Sequence, residues 1–111
     1  MKICITSKGP ARNSPAEERV GRAPYFMIID TETGSAEAVE NRFAGATGGV
    51  GPKAAQLLIA RKITALISGM IGGNAREVLV AAGIALYTYN GGGSVDDALE
   101  QFRANALERA G

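Results

Sequence analysis

The chain has 111 residues, 46% hydrophobic and 21% charged, with 12 Lys and Arg against 11 Asp and Glu. This length predicts a single domain over residues 1–111 that folds without a disulfide or metal staple, and a net charge of +1 argues against a general nucleic-acid binder. With no histidine and one cysteine, His-based metal sites, Ser-His or Cys-His catalysis and any intrachain disulfide are excluded.

Lys2 to Ser7 opens the chain with the apolar run Ile3-Cys4-Ile5, which predicts a central strand buried on both faces. The N-terminal apolar run is too short for a signal peptide and no 18-residue apolar stretch follows, so a cytoplasmic protein with no membrane segment is expected. Lys8 to Pro24, broken by Gly9-Pro10, Asn13-Ser14-Pro15 and Ala23-Pro24, reads as a long loop with one helical turn near Pro15 to Arg19. It carries the basic residues Lys8, Arg12, Arg19 and Arg22.

Tyr25 to Thr31 predicts a second strand and Ala36 to Arg42 an edge strand protected by Glu37 and Glu40, joined at Thr33-Gly34 as a hairpin. Phe43 to Gly51 is a glycine-rich loop, and Pro52 suits the first position of a helix striped by Ala54, Ala55, Leu57, Leu58 and Ile59. Ile63 to Ser68 is a buried-strand run, and Gly69 to Gly73 a loop. Asn74 suits a helix cap with Glu77 completing a box, and Gly83 the stop. Ile84 to Tyr89 predicts a fifth strand, Asn90 to Gly93 a loop, and Ser94 the cap of a last helix with Val95, Ala98, Leu99, Phe102 and Ala106 on one face.

The resulting order, β-β-β-α-β-α-β-α, predicts an α/β domain with a mixed sheet. The last strands run parallel to the first through right-handed crossovers. Four loops (Lys8 to Pro24, Phe43 to Gly51, Gly69 to Gly73, Asn90 to Gly93) then meet at the C-terminal ends of the parallel strands, where such sheets bind ligands. Three helices start at that edge, at about Pro52, Ala75 and Val95, and point their free N–H groups and positive dipole ends into it. Between Glu40 and Glu77 there is no carboxylate at all. These features predict a seat for a sizeable anion. Gly48, Gly49, Gly51, Gly72, Gly73, Asn74, Gly91 and Gly92 would offer backbone contacts and Arg19, Arg22 and Lys53 charge. Met70 and Ile71 form an apolar pair at the loop tip, where Met70 either meets a soft ligand or seals the helix top. Tyr89 adjoins the Asn90 loop, and Cys4 reads as a buried structural thiol.

Gly51-Pro52-Lys53-Ala54 is not a phosphate loop, because Ala54 stands where the magnesium-binding hydroxyl is needed, and no G-x-G-x-x-G occurs. Two-metal nuclease chemistry lacks its carboxylates on the central strands. No catalytic residue is identified, and a non-enzyme is expected. One alternative is a protein–protein adaptor or chaperone that carries no metal. A nucleotide-using enzyme lacks both the phosphate-loop hydroxyl and an acidic ribose partner.

Several segments together resemble the dinitrogenase iron–molybdenum cofactor biosynthesis family. They are Val20 to Phe26 (VGRAPYF), Ile29-Asp30, Asn41, Gly48 to Gly51, Ile71 to Ala75 (IGGNA) and Ala82 to Ile84. The run Gly51 to Gln56 and the lack of histidine are most similar to a compact subgroup of that family. The resemblance implies a three-layer α/β/α arrangement with a ribonuclease-H-like motif and a five-stranded mixed sheet of order 3-2-1-4-5. It also implies binding or carrying a metal–sulfur cluster, either an iron–molybdenum cofactor type or an anionic molybdenum–copper–sulfide cluster held without covalent bonds. Many family members carry a histidine in the loop before the first long helix; here that stretch is Ala46 to Gly51. Non-covalent capture by backbone N–H groups, arginines and an apolar lip is then the mode to expect, while the adaptor alternative, read with this resemblance, implies docking without bound metal on a partner in metallocofactor assembly or cell division.

Overall fold

The structure, a computed structural model, describes residues 1–20, 22–42, 50–71, 73–89 and 92–110. Its elements in chain order are β1 (Lys2–Ser7), β2 (Tyr25–Asp30), β3 (Ala36–Glu40), α1 (Val50–Ala60), β4 (Ala65–Ser68), α2 (Gly73–Ala81), β5 (Ala85–Thr88), α3 (Val95–Arg103) and β6 (Glu108–Arg109). They form one sheet of order β3-β2-β1-β4-β5-β6. β2 is antiparallel to β1 and β3, whereas β1, β4 and β5 run parallel.

Side-chain alternation along the strands divides the core between two faces. Cys4, Phe26, Ile28, Leu66 and Leu86 pack with Ala54, Ala55 and Leu58 of α1 and Leu79 of α2. Ile3, Ile5, Met27, Ile29 and Ile67 pack with Val95, Ala98 and Leu99 of α3. This is the expected three-layer α/β/α arrangement, with α1 and α2 on one face and α3 on the other.

Among the described residues the sheet has six strands, not five. Ala106 does not continue α3: the helix ends at Arg103, and Asn105 takes a left-handed φ of 56°. The Asn105 N–H donates to the Phe102 carbonyl (3.1 Å) and the Ala106 N–H to that of Gln101 (2.9 Å), a Schellman closure with asparagine in the glycine position. The chain then turns back, so that Tyr87 faces Arg109 and Thr88 faces Glu108 in antiparallel register.

Two helix starts also differ from expectation. α1 begins at Val50, so Pro52 is its third residue; its missing N–H still falls among the four that a helix leaves unpaired. α2 begins at Gly73, which makes Asn74 a residue of the first turn and not the cap. Gly83 does stop α2, with φ +81° and bonds from Gly83 N to Val80 O and from Ile84 N to Leu79 O, both 3.0 Å. Residues 15–19 make no helical turn. Their backbone groups go to distant segments instead, with Ala16 N donating to Gly93 O before α3 and Glu17 N to Thr6 O in β1, both 2.9 Å.

Candidate functional site

The parallel strands β1, β4 and β5 end at one edge, and the segment after β1 crosses it. On the α3 side, Pro15 bridges to Ser94. At the centre, the buried hydroxyls of Thr6 and Ser68 stand 3.1 Å apart. Thr6 Oγ1 donates to the Glu17 carbonyl (2.6 Å) and Ser68 Oγ to the Glu18 carbonyl (3.1 Å). On the α1/α2 side, Arg19 bridges in parallel to Met70: Met70 N–H donates to Glu18 O, and Val20 N–H to Met70 O at 3.3 Å. The middle of the edge, where a ligand is expected in an open sheet, is thus filled by the chain itself.

The expectation of three helix starts sharing one anion seat is corrected at α3. Ser94 Oγ accepts the Asp97 N–H (3.2 Å) while Asp97 Oδ2 accepts the Ser94 N–H (2.9 Å), a capping box. The Val95 N–H donates to Ser14 O (2.9 Å) and the Asp96 N–H to Arg12 O (3.0 Å). Asp96 also pairs with Arg12 at 3.0 Å. Every N–H of this first turn has a partner, and two carboxylates already answer the dipole.

α1 and α2 are different. Neither has an acidic residue in its first turn, and they pack side by side on the same face. Arg19 and Arg22 are exposed beside them, while Val20 and Ala23 are buried in the core that α1 and α2 cover. The buried Asn41 side-chain amide donates to the Ala23 carbonyl at 2.8 Å, which ties down the far end of the arginine segment. Apolar anchors thus fix the backbone and leave the guanidinium groups at the surface.

The expected site residues fall into separate groups. Arg19, Arg22, Met70, Ile71 and Gly73 lie on the α1/α2 side, with Gly51 and Lys53 in the first turn of α1 and Asn74 in that of α2. Met70 is 60% exposed although its backbone is held from both sides, whereas Ile71 packs half-buried on the core. Tyr89 lies in the other core, beneath α3, where its hydroxyl accepts the Gly93 N–H at 3.1 Å. Gly92 is exposed on that loop with φ +69°. Gly48, Gly49, Gly72 and Gly91 lie outside the described residues.

Cys4 is fully buried in mid-strand, and burial pushes its thiol pKa well above the usual range, which leaves it without a reactive thiolate. No group of three or more His, Cys, Asp or Glu able to hold a metal occurs among the described residues. Nor is any helix among them long and apolar enough to cross a membrane. The local chemistry is therefore that of peptide dipoles, guanidinium groups and one exposed thioether. Sequence reasoning does not single out Thr6 and Ser68 at this edge, and Asn41 enters it only through the family resemblance. The available signal was a small polar residue closing an apolar strand run, as Thr6 and Ser68 do.

Among solved structures, a putative NifB protein from Thermotoga, determined by NMR and described as belonging to the DUF35 family, is 41% identical over 97% of this chain and 91% of its own, with a TM-score of 0.87. The apo form of the orange protein from Desulfovibrio gigas is 32% identical over 98% of this chain and 92% of its own, with a TM-score of 0.93. No curated protein matches the chain. The dinitrogenase iron-molybdenum cofactor family profile matches residues 1–105. With its mixed sheet and its carboxylate-free helix starts at one corner of the strand edge, the chain belongs to the dinitrogenase iron-molybdenum cofactor family.

Proposed function

We propose that residues 1–111 form one cluster-binding domain that carries an anionic metal–sulfur cluster, of molybdenum–copper–sulfide or iron–molybdenum cofactor type, as cargo held without covalent bonds. One observation carries this reading: α1 and α2 begin at the same edge and on the same face, with no carboxylate in either first turn and with Arg19 and Arg22 alongside. The family and the similarity to the orange protein support it.

In this reading the N–H groups of the two first turns, which carry no acidic residue, face the sulfide edges of the cargo. Each helix end contributes about 0.3–1 kcal/mol where exposed and up to about 2 where partly buried. Arg19 and Arg22 add charge-assisted hydrogen bonds, and Met70 offers a polarizable contact that does not depend on charge. Interactions of this size suit a guest that is captured and released whole. We read the carrier as cytoplasmic, in keeping with its single unpaired cysteine.

The test is reconstitution with tetrathiomolybdate and copper, followed by desalting and native mass spectrometry. A coloured complex of fixed metal-to-protein ratio is expected. Loss of all metal on desalting, with the protein folded, would refute the reading for that cluster.

A further inference from the structure

We infer that Thr6 and Ser68 are positioning residues for the cargo rim, an assignment that rests on the carrier reading above. Both are buried polar residues, at 0% and 3% exposure, at the C-terminal ends of neighbouring parallel strands. Two apolar residues there would leave the Glu17 and Glu18 carbonyls without these donors. With one proton each, Thr6 serves the first carbonyl and Ser68 the second.

What these carbonyls hold is the rim itself. Glu18 O also accepts the Met70 N–H, and Met70 O accepts the Val20 N–H, so that Arg19 and Met70 are joined across a parallel bridge. The hydroxyl pair therefore fixes the backbone positions from which the Arg19 guanidinium and the Met70 thioether project. Neither hydroxyl touches the cargo. Their effect is to make the rim rigid before the cargo arrives, which removes an ordering cost from binding.

The experiment compares wild type, Thr6→Val, Ser68→Ala and Thr6→Ser. Each is titrated with tetrathiomolybdate and copper by absorbance, well below its own unfolding temperature. Thr6→Val and Ser68→Ala should weaken binding about tenfold or more, whereas Thr6→Ser, which keeps the hydroxyl, should stay within about twofold of wild type. A purely structural role would lower the melting temperature and leave the affinity of the folded protein unchanged. Wild-type affinity in folded Thr6→Val would therefore overturn the assignment, and if that variant does not fold, wild-type affinity in Ser68→Ala does the same. Failure of the wild type itself to bind would refute the carrier reading for that cluster, and this assignment with it, a separately visible result.

Discussion

Ser94 and Asp97 close α3 on each other, the hydroxyl oxygen accepting one N–H at 3.2 Å and the carboxylate accepting another at 2.9 Å. This separates α3 from the two helices whose first turns carry no acid. Ser94→Ala should lower stability by about 1 kcal/mol, the usual cost of a lost N-cap, as measured by urea denaturation. Cluster retention per folded molecule should not change. A loss of retention that outruns the loss of stability would bring α3 back into the seat.

Arg19 and Arg22 are exposed and join no ion pair among the described residues. Arg19→Gln and Arg22→Gln should each leave stability within about 0.5 kcal/mol, as is usual for surface changes. Each should weaken cluster binding by about tenfold, the size of one charge-assisted hydrogen bond of about 1.5 kcal/mol. Raising salt should weaken the wild type more than the double variant. Equal salt dependence would show that the arginines do not meet the cargo.

The turn between β2 and β3 predicts a pH effect. Asp30 Oδ1 accepts the Glu32 N–H at 2.9 Å, and this bond holds the Asp30 carboxyl below its ordinary pKa, with smaller help from the Thr33 N–H, the chain's amino terminus and Lys2. A lowered folded-state pKa favours the ionised form. Its stabilising contribution is present above the unfolded value of about 3.9 and is lost as pH falls through the folded value. Urea midpoints should therefore fall below about pH 4, and Asp30→Asn should be less stable at neutral pH with a flatter acid limb. An unchanged acid limb in that variant would assign the loss to other carboxylates.

The parts of the fold that could be read from the chain are those with local causes. The apolar run Ile3-Cys4-Ile5 became a strand whose alternate residues feed the two cores, and Gly83 and Ser94 stop and start helices as their chemistry requires. β6 was not legible because Glu108 and Arg109 are two exposed residues with no apolar pattern, placed by the left-handed turn at Asn105. The filling of the strand edge was not legible for a related reason. Pro15 to Arg19 reads locally as one helical turn in a long loop, but its partners are Thr6, Ser68, Met70, Gly93 and Ser94, up to 79 residues away. Side chains that point at the site can be listed from sequence. Which helix starts the chain itself has already closed cannot, because that depends on non-local hydrogen bonds.

In the proposed function the first turns of α1 and α2 hold an anion because neither carries an acidic residue. Gly73 tests it directly, since it is exposed, has no positive φ and leaves open space where a side chain would begin. A carboxylate there suits the helix, so Gly73→Asp should fold as well as wild type or gain up to about 1 kcal/mol. The measurement is cluster retention after desalting, with Gly73→Asn as the neutral control of the same shape. Retention lost in Gly73→Asp and kept in Gly73→Asn is the predicted result; equal retention in both would contradict the account.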